Sequence, residues 1–472
     1  MSPVDPASAE RPSGHRGVEA ALLAAFGGFL LVLVRRGVVF GSVAGHSAYA
    51  FLADARPPAA LLVGLAGAVV LGAAMWASLR IVDRHPWPVV LAWWAGAFVF
   101  QLAVRGLYPA PLAGIVESDV CTSFYSPTLH WPPAELLRRF ADVAPWLLPH
   151  HAASNMPGKI FVFYFLELFT KSPGGLALLI IALSNLGSAM LFLVAREWFG
   201  SARTGLLAFA LSMLFPAKVG FLPLLNAVTP GFLLLSLWLW LVYLRRQEAV
   251  WLLLLGASLY LLLFVEPLPL VAGVIFLGAF LQRRAAAAIG WRALPGIAAW
   301  TAAGFGLVHA AMWLAFRFEI LSVFGMMLRD SVGFNQRKGR PYDLWVGQDL
   351  KEFFLVAGWL PSLLYAVSLG TLIAGTVKAS HLEGIRKAVR ERLADPASNL
   401  LACFTLCLLA IDLLGVNRGE VARLWIFLGV LLQLVAADAC LARLGERAAG
   451  LTVATVALQT AVTVGMVAFL IC

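Results

Sequence analysis

Apolar runs of about 17–25 residues, separated by short polar connections, recur along almost the whole chain. A helix of about 20 apolar residues crosses the roughly 30 Å hydrocarbon core of a bilayer. The pattern therefore predicts an all-α polytopic membrane protein with about thirteen transmembrane helices. We place these helices at residues 18–34, 58–80, 87–106, 175–195, 205–222, 230–244, 249–265, 267–282, 293–315, 353–376, 399–416, 424–442 and 449–470.

The longest interruption lies at residues 107–174 and contains the polar stretch 117–159. A connection of this length is usually functional, so we interpret it as a catalytic outer loop. The apolar segment 159–170 is too short to span and predicts an interfacial or re-entrant helix. The predicted regions are a disordered tail 1–17, N-terminal helices 18–106, the loop 107–174, and a bundle 175–472 with an outer loop 316–352 and a cytoplasmic loop 377–398.

The composition fits this class, with 61% hydrophobic and only 13% charged residues. The net charge of +10 does not indicate nucleic acid binding, because Lys and Arg at helix ends face anionic headgroups. The five cysteines form no C-x-x-C pair, so the sequence suggests neither zinc nor redox chemistry, and four of them lie in or beside apolar segments.

The short connections set the expected orientation. With the N-terminus inside, the short inner loops are basic, whereas the outer turns 223–229 and around Glu266 carry no Lys or Arg. We therefore expect a cytoplasmic N-terminus. The remaining basic residues then collect in outer segments 107–174, 316–352 and 417–423, where phosphate binding would explain them.

Two carboxylates, Glu117 and Asp119, follow the third helix at the membrane boundary. A carboxylate there can be solvated, hold a cation or act as a base. Two so close together permit a divalent cation without requiring one, and no other cofactor is indicated.

Downstream, Pro157-Gly158 predicts a helix start at Lys159, where exposed amides and the ammonium could bind a phosphate. A turn that merely docks an interfacial helix explains the same residues equally well. His150 and His151 could be acid/base groups or ordinary polar residues, and at most one of two adjacent histidines faces one site.

Two later segments are basic. Arg337, Lys338 and Arg340 precede Tyr342 and could form either a solvated face or a clamp on a phosphate-bearing substrate. The turn 415–425 contains Arg418, Glu420 and Arg423, which suit either structural ion pairs or a lipid phosphate.

Together these features resemble the GT-C superfamily of polytopic glycosyltransferases, specifically its protein mannosyltransferase-like and aminoarabinose transferase-like branch. The resemblance covers roughly residues 90–440. It is carried by four features: Asp119 with Glu117 in the first large outer loop; the Asn155-Met156-Pro157-Gly158-Lys159 turn before Tyr164; the runs 193–216 and 224–246; and the late NRGEVARLW motif at 417–425. Unlike the family pattern, no His directly precedes Met156, and two extra helices precede the acidic loop.

The resemblance implies a polyprenyl-phosphate sugar donor, an acceptor on a glycan, lipid or protein, and inversion at the anomeric carbon. Asp119 would be the base, with Glu117 beside it. The donor phosphate would bind Arg337, Lys338, Arg340, Arg418 and Arg423, with help from Lys159. His150, His151, Tyr342 and Glu420 would contact acceptor or sugar. The implied location is a bacterial inner membrane, with the site on its outer face.

Two other functions fit a polytopic chain. A transporter or flippase of a lipid-linked or anionic solute would favour charges at mid-bilayer depth and repeated halves, and the sequence shows mostly membrane-edge charges and no repeat. The other is a non-catalytic membrane scaffold, against which a carbohydrate product that depends on intact Asp119 would count.

Overall fold

A computed structural model describes residue 49 and residues 51–470. In this part of the chain the structure is helical, with no strand beyond a single bridge between Phe51 and Val467. The helices, in chain order, are α1 (Pro57–Leu79), α2 (Pro86–Arg105), α3 (Leu112–Glu117), α4 (Ser126–His130), α5 (Pro133–Arg138), α6 (Phe140–Leu147), α7 (His150–Ala153), α8 (Gly158–Leu166), α9 (Pro173–Phe199), α10 (Ala202–Leu214), α11 (Pro216–Gly220), α12 (Thr229–Arg246), α13 (Ala249–Val265), α14 (Gly273–Ala285), α15 (Leu294–Phe316), α16 (Ile320–Arg337), α17 (Tyr342–Ala357), α18 (Trp359–Glu383), α19 (Ile385–Ala394), α20 (Pro396–Leu414), α21 (Val421–Leu424), α22 (Ile426–Arg443) and α23 (Glu446–Met466). Short 3-10 turns, Leu225–Ala227, Leu268–Ala272 and Trp291–Ala293, precede α12, α14 and α15.

Within the described residues, eleven helical segments are long and apolar enough to cross a membrane, and α13, with 17 residues, is a shorter apolar helix. Together they correspond to twelve of the thirteen predicted spans, so the prediction of an all-α polytopic membrane protein is confirmed. The predicted span 18–34 and the tail 1–17 lie outside the described residues.

One boundary differs from the sequence prediction. The span expected at 353–376 is divided at Gly358, whose backbone has φ of +112°. A side chain is strained in that conformation, so glycine suits the break between α17 and α18. The residues before it belong to α17, and the membrane helix begins at Trp359. The polar connection 316–352 is itself largely helical, formed by α16 and the first part of α17.

The spanning helices are packed unevenly. Most residues of α10, α12, α22 and α23 are buried in the bundle, whereas α15 exposes nearly all of its side chains. Glycines allow α15 to approach α13 closely: a Cβ added at Gly304 would lie 2.0 Å from the Leu253 carbonyl oxygen, and one added at Gly256 would lie 2.0 Å from that of Thr301. Small residues at such contacts are typical of membrane helix pairs.

Ion pairs between different connections divide the connections into two sets. On one face, Arg203 pairs with Asp83 and Glu446, and Arg245 pairs with Glu197. On the other face, Lys159 pairs with Glu266, and Arg340 pairs with Glu420. The two sets follow the alternation of connections that the sequence predicts. The acidic loop and the late basic turn therefore lie on the same face.

Candidate active site

The turn between α20 and α21 is built on left-handed backbone. Gly415 and Gly419 have φ of +55° and +74°, and Glu420 follows with +59°. Two carboxylates of α17 fix this turn from below. Asp349 Oδ1 accepts a hydrogen bond from the Gly419 amide at 2.9 Å, and Glu352 Oε2 accepts one from the Val421 amide at 3.2 Å. These two hydrogen bonds hold the backbone of the turn, and so they fix where its arginines begin.

Arg340 ties this turn to the connection between α16 and α17. Its guanidinium donates to the Arg418 carbonyl and, at 2.6 Å, to Glu420 Oε1. In return, Arg418 Nη1 donates to the Arg340 carbonyl at 2.9 Å, and Arg418 Nε donates to the Gly415 carbonyl at 3.0 Å. Arg423 completes the cluster, since its Nη2 lies 2.7 Å from Glu420 Oε2. Arg340 is buried, whereas Arg418 and Arg423 remain partly exposed.

His151 fixes helix α7 to the acidic loop. The His151 amide donates to Ser123 Oγ at 3.0 Å, and its Nε2 lies 3.2 Å from the carbonyl oxygen of Val120, the residue next to Asp119. Asp119 is exposed and accepts a hydrogen bond from Ser126 Oγ. Glu117 is also exposed.

His151 is one of the residues that act electrostatically on Glu420 in the basic turn. Burial alone would raise the pKa of Glu420, but Arg423, Arg340 and then His151 act against burial, and the net pKa is lowered. Glu420 is therefore an anion that holds the arginines in place.

The charge balance of this cluster depends on the two α17 carboxylates. Burial raises the pKa of Asp349 to about 7, and it raises the pKa of Glu352 to about 8 with help from the neighbouring Asp349 carboxylate. Both carboxyls are therefore partly protonated at neutral pH, Glu352 more than Asp349. Three arginines then face one fully ionised acid, Glu420, so the cluster has a net positive charge that suits a phosphate.

Lys159 has a different environment from the one the sequence suggested. Its ammonium is buried, pairs with Glu266, donates to Asn155 Oδ1 at 3.0 Å and lies 5.4 Å from the Phe124 ring centroid. These contacts dock α8 under the acidic loop. Glu266, which the sequence indicates only as a turn residue, is the partner that makes this burial tolerable.

The remaining predicted residues lie around the cluster. Arg337 is exposed and pairs with Asp330 at 2.6 Å, and the ammonium of Lys338 lies 5.8 Å from the Phe334 ring centroid. Tyr342 donates to the Leu413 carbonyl at 2.8 Å, and its ring faces the Arg418 guanidinium at 5.2 Å. His150 begins α7, and its side chain is outside the described part of the structure.

Sequence analysis missed Asp349 and Glu352. Their signal was present, since acids three residues apart on a helix share one face, and each is followed by an apolar residue, Leu350 or Phe353. It also missed that Cys121 is disulfide-bonded. Among the residues that the structure describes, no group of three or more His, Cys, Asp or Glu is arranged to hold a metal ion.

No family model matches the chain, and no curated protein matches it. Among solved structures, it is similar to the apo crystal structure of ArnT from Cupriavidus metallidurans, with 17% identity and a TM-score of 0.39. The match covers 66% of this chain and 54% of that chain, so this chain spans about half the length of ArnT. The likeness concerns the helical fold alone and assigns no residue role. The GT-C superfamily and its branch stay predictions from sequence.

Proposed function

We propose that this protein is an integral membrane glycosyltransferase that moves a sugar from a polyprenyl-phosphate donor to an acceptor hydroxyl on the outer face. The observation that carries the proposal is the arginine cluster of residues 340, 418 and 423, on the same face of the bundle as the loop that contains Asp119 and Glu117. An acid for the acceptor and cations for the departing phosphate are the two requirements of this transfer.

In the proposed reaction the acceptor oxygen attacks the anomeric carbon while the bond from that carbon to the phosphate oxygen breaks. Asp119 takes the acceptor proton, and the polyprenyl phosphate leaves with the bonding electrons. Attack from the opposite face inverts the anomeric configuration. Glu117, beside the base, would help to hold the acceptor.

The leaving phosphate would bind Arg418 and Arg423, which are partly exposed at the mouth of the cluster. Arg340 would position them, because its guanidinium is already held by Glu420 and the Arg418 carbonyl. Arg337 and Lys338 lie further out and would attract the anionic donor. Lys159 would act through its pair with Glu266 by holding α8 in place. His151, Tyr342 and Glu420 line the same region and would contact sugar or acceptor, and His150 is proposed from sequence alone.

The surroundings of the cluster suit a lipid donor. Leu413 and Leu414, at the end of the spanning helix α20, are exposed beside the basic turn, with relative exposures of 59% and 67%. An isoprenoid chain can lie against such residues in the bilayer while its phosphate reaches the arginines. The disulfide at Cys121 supports an extracytoplasmic position for this face, because disulfides persist in oxidising compartments. A bacterial inner membrane would provide that arrangement.

The proposal is tested with membranes containing the full chain and labelled polyprenyl-phosphate sugars. Asp119→Asn should fold normally and lose transfer by roughly 10²–10⁴-fold, the range for loss of a general base. Asp142→Asn is the matched control, because Asp142 is an exposed carboxylate of the same loop. Full transfer by Asp119→Asn would exclude Asp119 as the base, and a retained anomeric configuration would exclude the inverting mechanism.

One observation favours the alternative of a transporter or flippase. Lys218 is buried within a spanning segment, where its ammonium donates only to neutral oxygens, the Ser184 carbonyl at 3.1 Å and Ser188 Oγ. Ionisable groups at membrane depth often mark solute pathways. Flux of a lipid-linked or anionic solute in proteoliposomes, without sugar transfer and abolished by Lys218→Met, would replace the glycosyltransferase proposal.

A further inference from the structure

A cavity lies on the opposite face of the bundle from the candidate active site. It has a volume of about 920 Å³ and opens between the C-terminal end of α14, the connection 286–290 and helix α19. Its wall consists of apolar side chains and three arginines, Arg284, Arg386 and Arg390. This volume lies in the range of small-molecule sites, and the combination of apolar and cationic walls suits an amphipathic anion.

The three arginines lack acidic partners. None of them forms an ion pair with any side chain that the structure describes, and Arg284 instead packs over Trp291 at 4.7 Å. Two other arginines on this face, Arg203 and Arg245, are each paired with carboxylates. Three unpaired cations around one cavity repel each other, so the charge favours an anion between them.

Helix α19 places this charge at the membrane boundary. Ile385, Val389 and Leu393 share a face with Arg386 and Arg390 and line the cavity, whereas Lys387 pairs with Glu391 away from it. Ile385 is 67% exposed and Val389 is 43% exposed. An amphipathic basic helix with exposed apolar residues lies in the headgroup layer. The adjoining Leu281 belongs to the last turns of the spanning helix α14, so the cavity borders the end of a spanning segment.

We propose that this cavity binds the headgroup of an anionic phospholipid, with the phosphate between Arg284, Arg386 and Arg390 and an acyl chain along Ile385, Val389 and Leu281. A free inorganic phosphate shares the charge but would not use the apolar wall. The site would anchor the connection between α18 and α20 to the bilayer. It is independent of the proposed transfer reaction, since it lies on the other face of the bundle.

The test compares phosphatidylglycerol with phosphatidylcholine on the detergent-purified full chain, with bound lipid counted by native mass spectrometry. The variant Arg284→Gln/Arg386→Gln/Arg390→Gln should bind phosphatidylglycerol about 100-fold more weakly, since each arginine near an anionic headgroup contributes roughly five-fold. The matched control, Arg84→Gln/Lys378→Gln/Arg447→Gln, removes the same charge from exposed positions of the same face and should retain wild-type binding.

A second variant separates the lipid from free phosphate. Ala288 is exposed in the cavity wall, and Ala288→Trp would occupy part of the cavity while leaving all three arginines. It should weaken phosphatidylglycerol binding by at least ten-fold. Three results would each overturn the proposal. The wild-type protein could bind the two lipids equally, or the triple-arginine cavity variant and the control variant could lose equal affinity. Inorganic phosphate could also displace the lipid at equal concentration.

Discussion

The ion pair between Lys159 and Glu266 offers the sharpest test of how the acidic loop is held. Lys159 has a side-chain exposure of 2% and Glu266 one of 15%. In Glu266→Gln the buried ammonium keeps only neutral partners, Asn155 Oδ1 at 3.0 Å, the new amide and the Phe124 ring face. Removing one partner of a buried pair typically costs about 3–5 kcal/mol, because the other charge stays buried without compensation.

The backbone makes local relief difficult. A Cβ added at Gly158, the residue before Lys159, would lie 2.4 Å from the Phe264 carbonyl oxygen, so α8 and α13 are already in contact. Lys159 therefore has little room to swing towards water. We expect most of the cost of about 3–5 kcal/mol to appear in the free energy of unfolding.

The assay is chemical unfolding of the detergent-purified protein, followed by fluorescence. Glu135→Gln is the matched control, because its pair with Arg139 is exposed on both sides and such pairs contribute about 0–1 kcal/mol. Lys159→Met/Glu266→Met should recover much of the stability lost in Glu266→Gln. A Glu266→Gln variant as stable as Glu135→Gln would refute the reasoning.

Four further predictions concern the cluster and the bundle. Arg418→Gln and Arg423→Gln should each lower the transfer rate by about 10²–10³-fold, the range for loss of one charge-stabilising donor. Arg337→Gln should change the transfer rate little. Equal losses of the three variants in initial-rate assays would contradict the assigned positions. Transfer should fall as pH rises through about 7 to 8, because ionised Asp349 and Glu352 cancel the positive charge that holds the phosphate; a pH–rate profile unchanged by Glu352→Gln would contradict this. The folded protein holds these protons at pH values where the unfolded chain has released them. Both carboxyls therefore make the free energy of unfolding decrease from about pH 4.5 to 8, which chemical unfolding at each pH would measure. Gly304→Ala should destabilise the protein by roughly 1–3 kcal/mol through overpacking against α13. Gly306→Ala should be neutral, because an added Cβ meets nothing within 4 Å. Similar unfolding midpoints for the two variants would mean that α13 and α15 can separate without cost.

The spanning helices could be predicted because their signal is local. The helix α13, Ala249–Val265, has the bounds that hydropathy gave, and Asp395 caps α20 by accepting from the Ser398 amide at 2.9 Å. The break at Gly358 was missed because apolar residues continue through it. Periodicity cannot reveal a change of direction between two apolar helices.

The candidate site was predictable only as a set of separate segments. The position of Asp119, Arg418 and Arg423 in polar loops marked them as candidate site residues. Which residues form ion pairs, however, depends on contacts between residues far apart in sequence. Lys159 and Glu266 are 107 residues apart, and Arg340 and Glu420 are 80 apart. The roles of Asp349 and Glu352 depend on the amides of a turn that exists only after the helices have packed.

A structure of the full chain with a polyprenyl phosphate bound would test the central claim most directly. We expect phosphate oxygens at about 2.7–2.9 Å from the guanidinium of Arg418 or Arg423, the separation of charge-assisted hydrogen bonds, on the face that carries Asp119. A bound polyprenyl phosphate that contacts neither Arg418 nor Arg423 would contradict the account.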